Sequence, residues 1–216
     1  MKMYFFGASN PETIRMIRSN ERTVPSFKVG GFLDNDATKH GTDFYGYPVL
    51  GGVEHVKKLS IISSRFVNLI TRNAIVRYET TQQLLGYGAI LGNFIHHGVD
   101  LSMVEIGLGN YIQEAVILQA GVRIGDNCSI HMGSLIGHET TIDSDTFIAH
   151  GVSVSGCCQI GKGCFIGTHA TLHPRVKIGK WVTIGAGSVV RKDVPDCSVV
   201  VGNPAKEIKK IIPPER

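Results

Sequence analysis

The sequence contains no apolar run that approaches the roughly 20 residues needed to cross a bilayer, so we expect no membrane insertion. Residues Met1 to Gly7 are too short a stretch for a signal peptide. Cysteine is scarce, at five residues, and an odd count in such a chain favours reduced thiols. These features together predict a cytoplasmic protein.

Two binding signatures are also missing. Gly7-Ala8-Ser9-Asn10-Pro11 follows a predicted strand but lacks the second and third glycines of the dinucleotide fingerprint, which disfavours NAD binding. The 22 basic residues outnumber the 18 acidic ones, which gives a net charge of +4. The basic residues are scattered, however, and are not interleaved with aromatic residues. We therefore expect no nucleic acid as partner, and an anionic small molecule fits the charge better.

Glycine is abundant instead, with 26 residues spread at intervals that indicate repeated turns. Every sixth residue from Ile106 to Val190 is Ile, Leu or Val. The residue four places after each of these is small in every repeat except the one with Asn110. One large and one small inward residue in every six predict short strands that meet at corners, with three strands to a coil. Residues 106–195 then form about five coils.

Glycine directly follows the aliphatic residue in seven repeats, where we expect it to supply backbone freedom near the corner. The seven are Gly107, Gly125, Gly137, Gly161, Gly167, Gly179 and Gly185.

The first part of the chain has a different pattern, in which strands alternate with helices. The sequence predicts strands over 2–6, 27–33 and 66–70, a helix over 11–19, and a helical stretch that ends near Leu85. This order is typical of a small parallel sheet, a Rossmann-like α/β domain, with a ligand site beyond the carboxyl ends of its strands.

We therefore divide the chain into residues 1–94, an α/β domain with a ligand site, and residues 95–216, a parallel β-helix with a C-terminal cap. The cap is the segment 205–212, which we interpret as a short helix covering the last coil.

With the repeats, five motifs make the whole chain resemble one family: Gly7-Ala8-Ser9, Phe32-Leu33-Asp34, Gly46-Tyr47-Pro48-Val49-Leu50-Gly51, Ile136-Gly137-His138-Glu139 and Gly202-Asn203-Pro204-Ala205-Lys206. The family is that of the sialic-acid O-acetyltransferases and the bacillosamine-pathway UDP-amino-sugar N-acetyltransferases. The resemblance implies a left-handed β-helix, a homotrimer, and acetyl-CoA as co-substrate in the groove between neighbouring β-helices.

The function that the resemblance implies is acetyl-CoA-dependent N-acetylation of a nucleotide-linked amino sugar, of the UDP-4-amino-4,6-dideoxy type, in surface-glycan biosynthesis. An O-acetyltransferase of a sialic-acid-like sugar is the alternative. Two departures from the family pattern bear on the acceptor site. The family's Gly-His-Gly after the first strand is here Asn10-Pro11-Glu12, and its usual Asn before the catalytic segment is here His131.

The resemblance also implies roles for individual residues. His138 is expected to be the general base, and Glu139 the acid that raises its basicity. Gly156 is expected to offer its N–H to the thioester oxygen, while the CoA groove is expected to be lined by Thr168 and Ala186. The expected nucleotide-sugar contacts are Ser9, Asn10, Asp34, Asn35 and Asn73.

No metal is expected, but the histidines leave two alternatives of another class. His131, His150 and His169 are spaced 19 residues apart, as in a ladder along one corner of the coils. A trimeric carbonic anhydrase-like zinc protein is one alternative, but a ladder of this kind does not match that family's ligand spacing. A non-catalytic trimeric scaffold is the other alternative.

Three of the cysteines fall at the small inward position of the repeat, where cysteine acts as a compact hydrophobic residue. They are Cys128, Cys158 and Cys164, while Cys157 and Cys197 fall outside that position.

Overall fold

The computed structural model describes residues 1–71 and 73–214. The first part of the chain forms β1 Lys2–Phe6, α1 Pro11–Thr23, β2 Val29–Leu33, β3 Asp43–Phe44, β4 Tyr47–Pro48, β5 Ser64–Asn68 and α2 Ala74–Gly86. Three short 3₁₀ helices cover Ala37–Lys39, Val53–Lys58 and Ile61–Ser63. The sheet is parallel in the order β2-β1-β5, and β3 and β4 form a separate antiparallel pair. The predicted α/β architecture is confirmed.

Helix α1 is four residues longer than the sequence predicts, and its last turns explain why. Asn20 is buried there, and its Nδ2 donates to the carbonyl of Ile95 at 2.8 Å. Its Oδ1 accepts from the His97 N–H at 3.1 Å. This buried polar side chain, one residue beyond the predicted helix end, is thus satisfied by the segment that opens the solenoid.

The rest of the chain is a parallel β-solenoid of two-residue strands. They are β6 Phe94–Ile95, β7 Glu105–Ile106, β8 Tyr111–Ile112, β9 Ile117–Leu118, β10 Arg123–Ile124, β11 Ser129–Ile130, β12 Leu135–Ile136, β13 Thr141–Ile142, β14 Phe147–Ile148, β15 Ser153–Val154, β16 Gln159–Ile160, β17 Phe165–Ile166, β18 Thr171–Leu172, β19 Lys177–Ile178, β20 Thr183–Ile184 and β21 Val189–Val190. Two longer strands follow, β22 Ser198–Val201 and β23 Lys206–Lys210.

The strands stack into three faces, which we name by their outward residues. The charged face is β7, β10, β13, β16 and β19, with Glu105, Arg123 and Lys177 outward. The aromatic face runs from β6 through β8, β11, β14, β17 and β20 to β22 and β23. The uncharged face is β9, β12, β15, β18 and β21, and it exposes Ile117 and Leu135 by 54% and 45%.

The predicted six-residue register is confirmed. Each aliphatic repeat residue from Ile112 to Val190 is buried, and so is each small residue at the fifth position from Val116 to Val194. Asn110, the exception in size, is buried too, because its amide donates to the Gly125 carbonyl and accepts from the Cys128 N–H. The solenoid has about one coil more than the sequence predicts, since β6 and β22 add a strand at each end of the aromatic face.

The repeat glycines serve a different purpose from the one predicted. A Cβ on Gly137 would stand 2.5 Å from the Gly156 nitrogen, and one on Gly167 would stand 2.6 Å from the Ala186 nitrogen. These glycines are therefore required by the close approach of the next coil. The left-handed backbone lies two residues later, as at Glu139 with φ 57°.

The predicted C-terminal helix is wrong. Residues Lys206–Lys210 form β23, which pairs antiparallel with β22. An unpaired strand edge at the end of the solenoid offers backbone donors and acceptors, and pairing with it satisfies more groups than an isolated two-turn helix could. The segment still lies at the last coil, but as an edge strand with outward lysines.

Helix α2 docks the first domain onto the solenoid. Arg77 is fully buried, and its guanidinium donates to the carbonyls of Asn68 and Ile70 in the first domain and of Asn127 in the solenoid. Burial lowers the pKa of Arg77 to about 10, so it remains charged at neutral pH. Among the described residues no helix has the length and apolar character to cross a membrane.

Candidate active site

His138 and Glu139 lie side by side on the corner that joins the uncharged face to the charged face. The His138 Nδ1 is 3.2 Å from the Glu139 Oε2. Both side chains point outward, with 58% and 71% of their surface exposed. This contact fixes a proton on Nδ1 and leaves Nε2 as the nitrogen that accepts one.

The free nitrogen of His138 lies over the next coil. A Cβ on Gly156 would stand 2.5 Å from the His138 Nε2, so only glycine leaves room for the imidazole there. None of the described residues accepts a hydrogen bond from the Gly156 N–H. His138 Nε2 therefore lies close to residue Gly156, whose N–H is available as a donor, and acyl transfer requires a base and a donor of these kinds.

The backbone of His138 is held from the coil on either side. Gln119 Oε1 accepts from the His138 N–H at 2.9 Å, and the Cys157 N–H donates to the His138 carbonyl at 2.8 Å. Sequence reasoning assigned no role to Gln119 and none at this corner to Cys157. Their separations of 19 and 18 residues from His138 and Glu139 match one coil, and this spacing is the signal that could have found them.

The residues predicted to line the CoA groove lie on a different corner. Thr168, half-buried, and Ala186, exposed, belong to the corner between the aromatic and the uncharged faces. The Thr168 carbonyl accepts from the Gly187 N–H at 2.8 Å. Within one chain, Gly156 therefore lies at one edge of the uncharged face, and Thr168 and Ala186 lie at the other.

The predicted nucleotide-sugar residues gather at the carboxyl edge of the parallel sheet. Asp34 follows β2, and its carboxylate accepts from the Ala8 N–H at 2.9 Å, from the Asp36 N–H at 2.9 Å and from Lys39 Nζ at 2.8 Å. Burial raises the pKa of Asp34, but these hydrogen bonds outweigh it and hold the pKa below its ordinary value. Asp34 is therefore an ionised anchor for the turn after β1.

The other residues of this group are engaged in local structure or exposed. Asn10 caps α1 by accepting from the Glu12 N–H, and Asn73 caps α2 by accepting from the N–H groups of residues 75 and 76. Asn35 accepts from the Val53 N–H at 3.0 Å, and Ser9 is exposed. The amide NH₂ groups of these asparagines and the Ser9 hydroxyl are the groups left to face a ligand.

The two predicted half-sites are not brought together within one chain. The described contacts of His138 are with Gln119, Glu139, Gly156 and Cys157, all in the solenoid. The first domain packs on the aromatic face and its neighbouring corners instead, as the contact of Arg15 with Glu114 shows.

The histidine ladder forms only in part. His131 Nδ1 lies 3.4 Å from His150 Nε2, but within the described ranges no third metal-binding side chain joins this pair. His131 itself is buried, with its Nε2 3.1 Å from the Ser129 hydroxyl.

Comparisons with known proteins match this fold. The family model described as bacterial transferase hexapeptide (six repeats) matches residues 139–174 and 157–192, and the hexapeptide repeat of succinyl-transferase matches 113–138. A variant of perosamine N-acetyltransferase from Caulobacter crescentus, solved with CoA and GDP-perosamine, superposes with a TM-score of 0.85 at 25% identity, over 97% of this chain and 98% of that one.

The acetyltransferase domain of PglB from Neisseria gonorrhoeae FA1090, solved with acetyl coenzyme A, gives a TM-score of 0.83 at 26% identity, over 96% of this chain and 98% of that one. These structural neighbours are acetyltransferases, and the matching family models are hexapeptide repeats. The expected family and fold class are thereby confirmed.

Curated members of this hexapeptide-repeat group are longer than the region they share with this chain. Serine acetyltransferase 2 of Arabidopsis thaliana is 31% identical over 141 residues, which is 58% of this chain and 44% of that protein. The chain thus spans less than half the length of this relative, whereas the solved structures match it over nearly its whole length.

Proposed function

We propose that the protein is an acetyl-CoA-dependent N-acetyltransferase of a nucleotide-linked amino sugar. The observation that carries the proposal is the position of His138, with Glu139 at Nδ1 and the free Gly156 N–H beside Nε2. The likeness over both domains to a structure that holds CoA and GDP-perosamine supports the substrate class. The carboxyl edge of the sheet supplies the nucleotide site, as it does in other parallel sheets.

The chemistry follows from the two nitrogens of His138. The sugar amine attacks the thioester carbonyl while His138 Nε2 takes one of its protons, so the nitrogen is not left cationic. The carbonyl oxygen becomes an oxyanion that accepts from the Gly156 N–H. The carbon–sulfur bond then breaks, and the imidazolium, stabilised by Glu139, returns the proton to the CoA thiolate.

A homotrimer completes the site in this proposal. His138 and Gly156 flank the uncharged face at one edge, while Thr168 and Ala186 flank it at the other. Ile117 and Leu135 lie exposed between those edges. Packing a second copy there covers the apolar residues and gives the CoA groove its second wall, and a three-fold axis closes such a heterologous contact.

We place the protein in the cytoplasm and its product in surface-glycan biosynthesis. Acetyl-CoA and nucleotide-activated sugars are cytoplasmic metabolites, and all five cysteines are free thiols, as a reducing compartment maintains.

The test is a panel of UDP- and GDP-linked 4-amino-4,6-dideoxy sugars, incubated with acetyl-CoA while the free CoA thiol is followed. We expect one of these amino sugars to be acetylated. His138→Asn should keep the fold and CoA binding, because the side chain is exposed, but should lower kcat by about 10² to 10⁴, the usual worth of a general base. Glu139→Gln should do less harm, since it removes only the partner of the imidazolium.

The nature of the product separates the two acetyltransferase hypotheses. An amide survives hydroxylamine whereas an ester is cleaved, so a hydroxylamine-sensitive product would replace N- by O-acetylation. Near-normal turnover in His138→Asn would move the base elsewhere, and no thiol release with any acceptor would contradict the proposed function.

A further inference from the structure

One corner of the solenoid brings together three side chains of the kinds that bind transition metals. The Glu139 Oε2 lies 3.2 Å from the His138 Nδ1 and 3.6 Å from the Cys157 Sγ. The nitrogen, oxygen and sulfur ligand atoms all lie within 4.8 Å of one another. The cysteine takes no part in the proposed acetyl transfer, so this juxtaposition is not explained by it.

The spacing of these atoms matches one metal in particular. Zinc binds nitrogen and oxygen at about 2.0 Å and sulfur at about 2.3 Å in tetrahedral geometry, so its ligand atoms stand about 3.3 to 3.6 Å apart. The two measured separations fall close to that range. Histidine, carboxylate and thiolate are all zinc ligands, and with His138 and Glu139 exposed and Cys157 half-buried, a fourth position is open to water.

The backbone alone places the three ligand side chains in this arrangement. Glu139 and Cys157 occupy the same corner position in successive coils and share a left-handed backbone, with φ of 57° and 62°. Their side chains therefore leave the corner in the same direction, one coil apart, which is about 4.8 Å in a parallel stack. The Cys157 N–H donates to the His138 carbonyl and fixes the third ligand to the same pair of coils.

We propose that His138 Nδ1, Glu139 Oε2 and Cys157 Sγ form a Zn²⁺ site whose occupation switches the enzyme off. The inhibitory part of this proposal rests on the proposed role of His138 as base. A neutral imidazole that binds zinc through Nδ1 carries its proton on Nε2. Zinc therefore converts the nitrogen that accepts the amine proton into a donor, and it withdraws Glu139 from the imidazolium at the same time.

Metal binding is measured first, independently of activity, by titrating the metal-free protein with Zn²⁺ against a chromophoric chelator. We expect one strong site per chain. Co²⁺, which adopts the same geometry, should give a thiolate-to-metal charge-transfer band and the visible bands of a tetrahedral site. Cys157→Ser should weaken Zn²⁺ binding by roughly tenfold or more and abolish the charge-transfer band.

Cys197→Ser is the matched control. Cys197 is also a half-buried free cysteine with a left-handed backbone, at φ 60°, but it is not part of a metal-binding cluster in the described chain. It should bind Zn²⁺ as the unaltered protein does. Cys157→Ala provides a second variant in case serine retains weak binding.

Activity is then measured with and without saturating Zn²⁺. Zn²⁺ should lower the kcat of the unaltered protein by tenfold or more relative to its own metal-free value, with recovery on adding a chelator. The kcat of Cys157→Ser, relative to its own metal-free value, should change far less. Unchanged Zn²⁺ binding in Cys157→Ser would overturn the proposed site. Bound Zn²⁺ that leaves the kcat of the unaltered protein intact would overturn the inhibitory effect. Absence of acetyl transfer by the metal-free protein would instead contradict the proposed function. In that case the cobalt spectrum would still show whether the metal site exists.

Discussion

At the scale of single residues, burial separates His138, the proposed base, from His131, which lies in the partial histidine ladder. His138 is exposed beside Glu139, whereas His131 is buried between Tyr111, Phe147 and His150. Burial first, and then the proximity of His150 and Arg77, lowers the pKa of His131 to about 3. His131 is therefore neutral over the working pH range and serves the fold.

This low pKa predicts how stability depends on acid. Below about pH 6.5 His131 is protonated in the unfolded chain, whereas in the folded protein it stays neutral down to about pH 3. Between these two pH values the free energy of unfolding therefore falls by up to about 1.4 kcal/mol per pH unit as the pH is lowered. His131→Asn does not titrate and should remove this contribution. Urea unfolding at pH 7 and pH 4.5 should show a loss smaller by about 2 to 3 kcal/mol in the variant, and equal losses would mean that His131 is accessible to protons.

Asp34 is the residue that organises the proposed nucleotide site. Asp34→Ala removes the acceptor for the Ala8 N–H and the partner of Lys39, so the turns after β1 and β2 should lose their arrangement. We expect the KM of the sugar nucleotide to rise roughly tenfold while the KM of acetyl-CoA stays nearly constant. Asp36→Ala is the control, because Asp36 is exposed and bonds locally to Thr38. An equal rise in both constants would indicate general damage instead.

At the scale of elements, the six-residue register was predictable because it depends on the sizes of the inward residues. A large and a small inward residue recur without interruption, and no other regular structure has that period. The three parallel strands and the two α-helices of the first domain were also predicted, whereas β3 and β4 were not; in the structure Asn10 and Asn73 cap the two helices. Local chemistry is sufficient in both cases.

The failures at this scale share a physical cause, which is contact between residues distant in sequence. Segment 205–212 contains good helix formers such as Ala, Lys and Glu, and pairing with β22 overrides that local preference. The close approach of Gly156 to Gly137, 19 residues apart, is equally invisible in a local reading. Gln119 and Cys157 were missed at the candidate site because their partners lie one coil away.

A charge placed at an inward position tests the register. Ile160 is buried in β16 and its neighbour Gln159 points outward on the charged face. Ile160→Asp should abolish soluble folding, because an unpaired buried carboxylate costs several kcal/mol. Gln159→Asp should leave the protein folded and stable. Expression and thermal unfolding of the two variants decide the matter, and a normal melting temperature for Ile160→Asp would show the register to be wrong.

At the scale of the whole molecule, docking of the two domains depends on a buried charge that has no carboxylate partner among residues 1–71 and 73–214. Arg77 instead donates to backbone carbonyls of both domains, which ties the carboxyl end of β5 to the solenoid. Tyr78 packs edge-on against Trp181 at 5.5 Å beside it. The proposed nucleotide site is therefore fixed relative to the coils rather than hinged above them.

The proposed trimer predicts an effect of charge on the uncharged face. Light scattering should return about three times the 23.4 kDa chain. Leu135→Arg, on the exposed part of that face, should dissociate the assembly and lower turnover, because like charges would meet near the three-fold axis. Arg123→Leu on the charged face serves as the control and should leave the mass unchanged. A monomer from the unaltered protein would contradict the assembly.

The six-residue repeat has a consequence for how this protein changes over evolutionary time. Two positions in each repeat hold the interior, and the corner residues between them point away from it. A corner can therefore exchange a catalytic group, gain a metal ligand or accept an inserted loop with little effect on the packing within the coils. Stability depends on the two inward positions of each repeat and chemistry on the corner positions, so selection can alter one set while leaving the other almost unchanged.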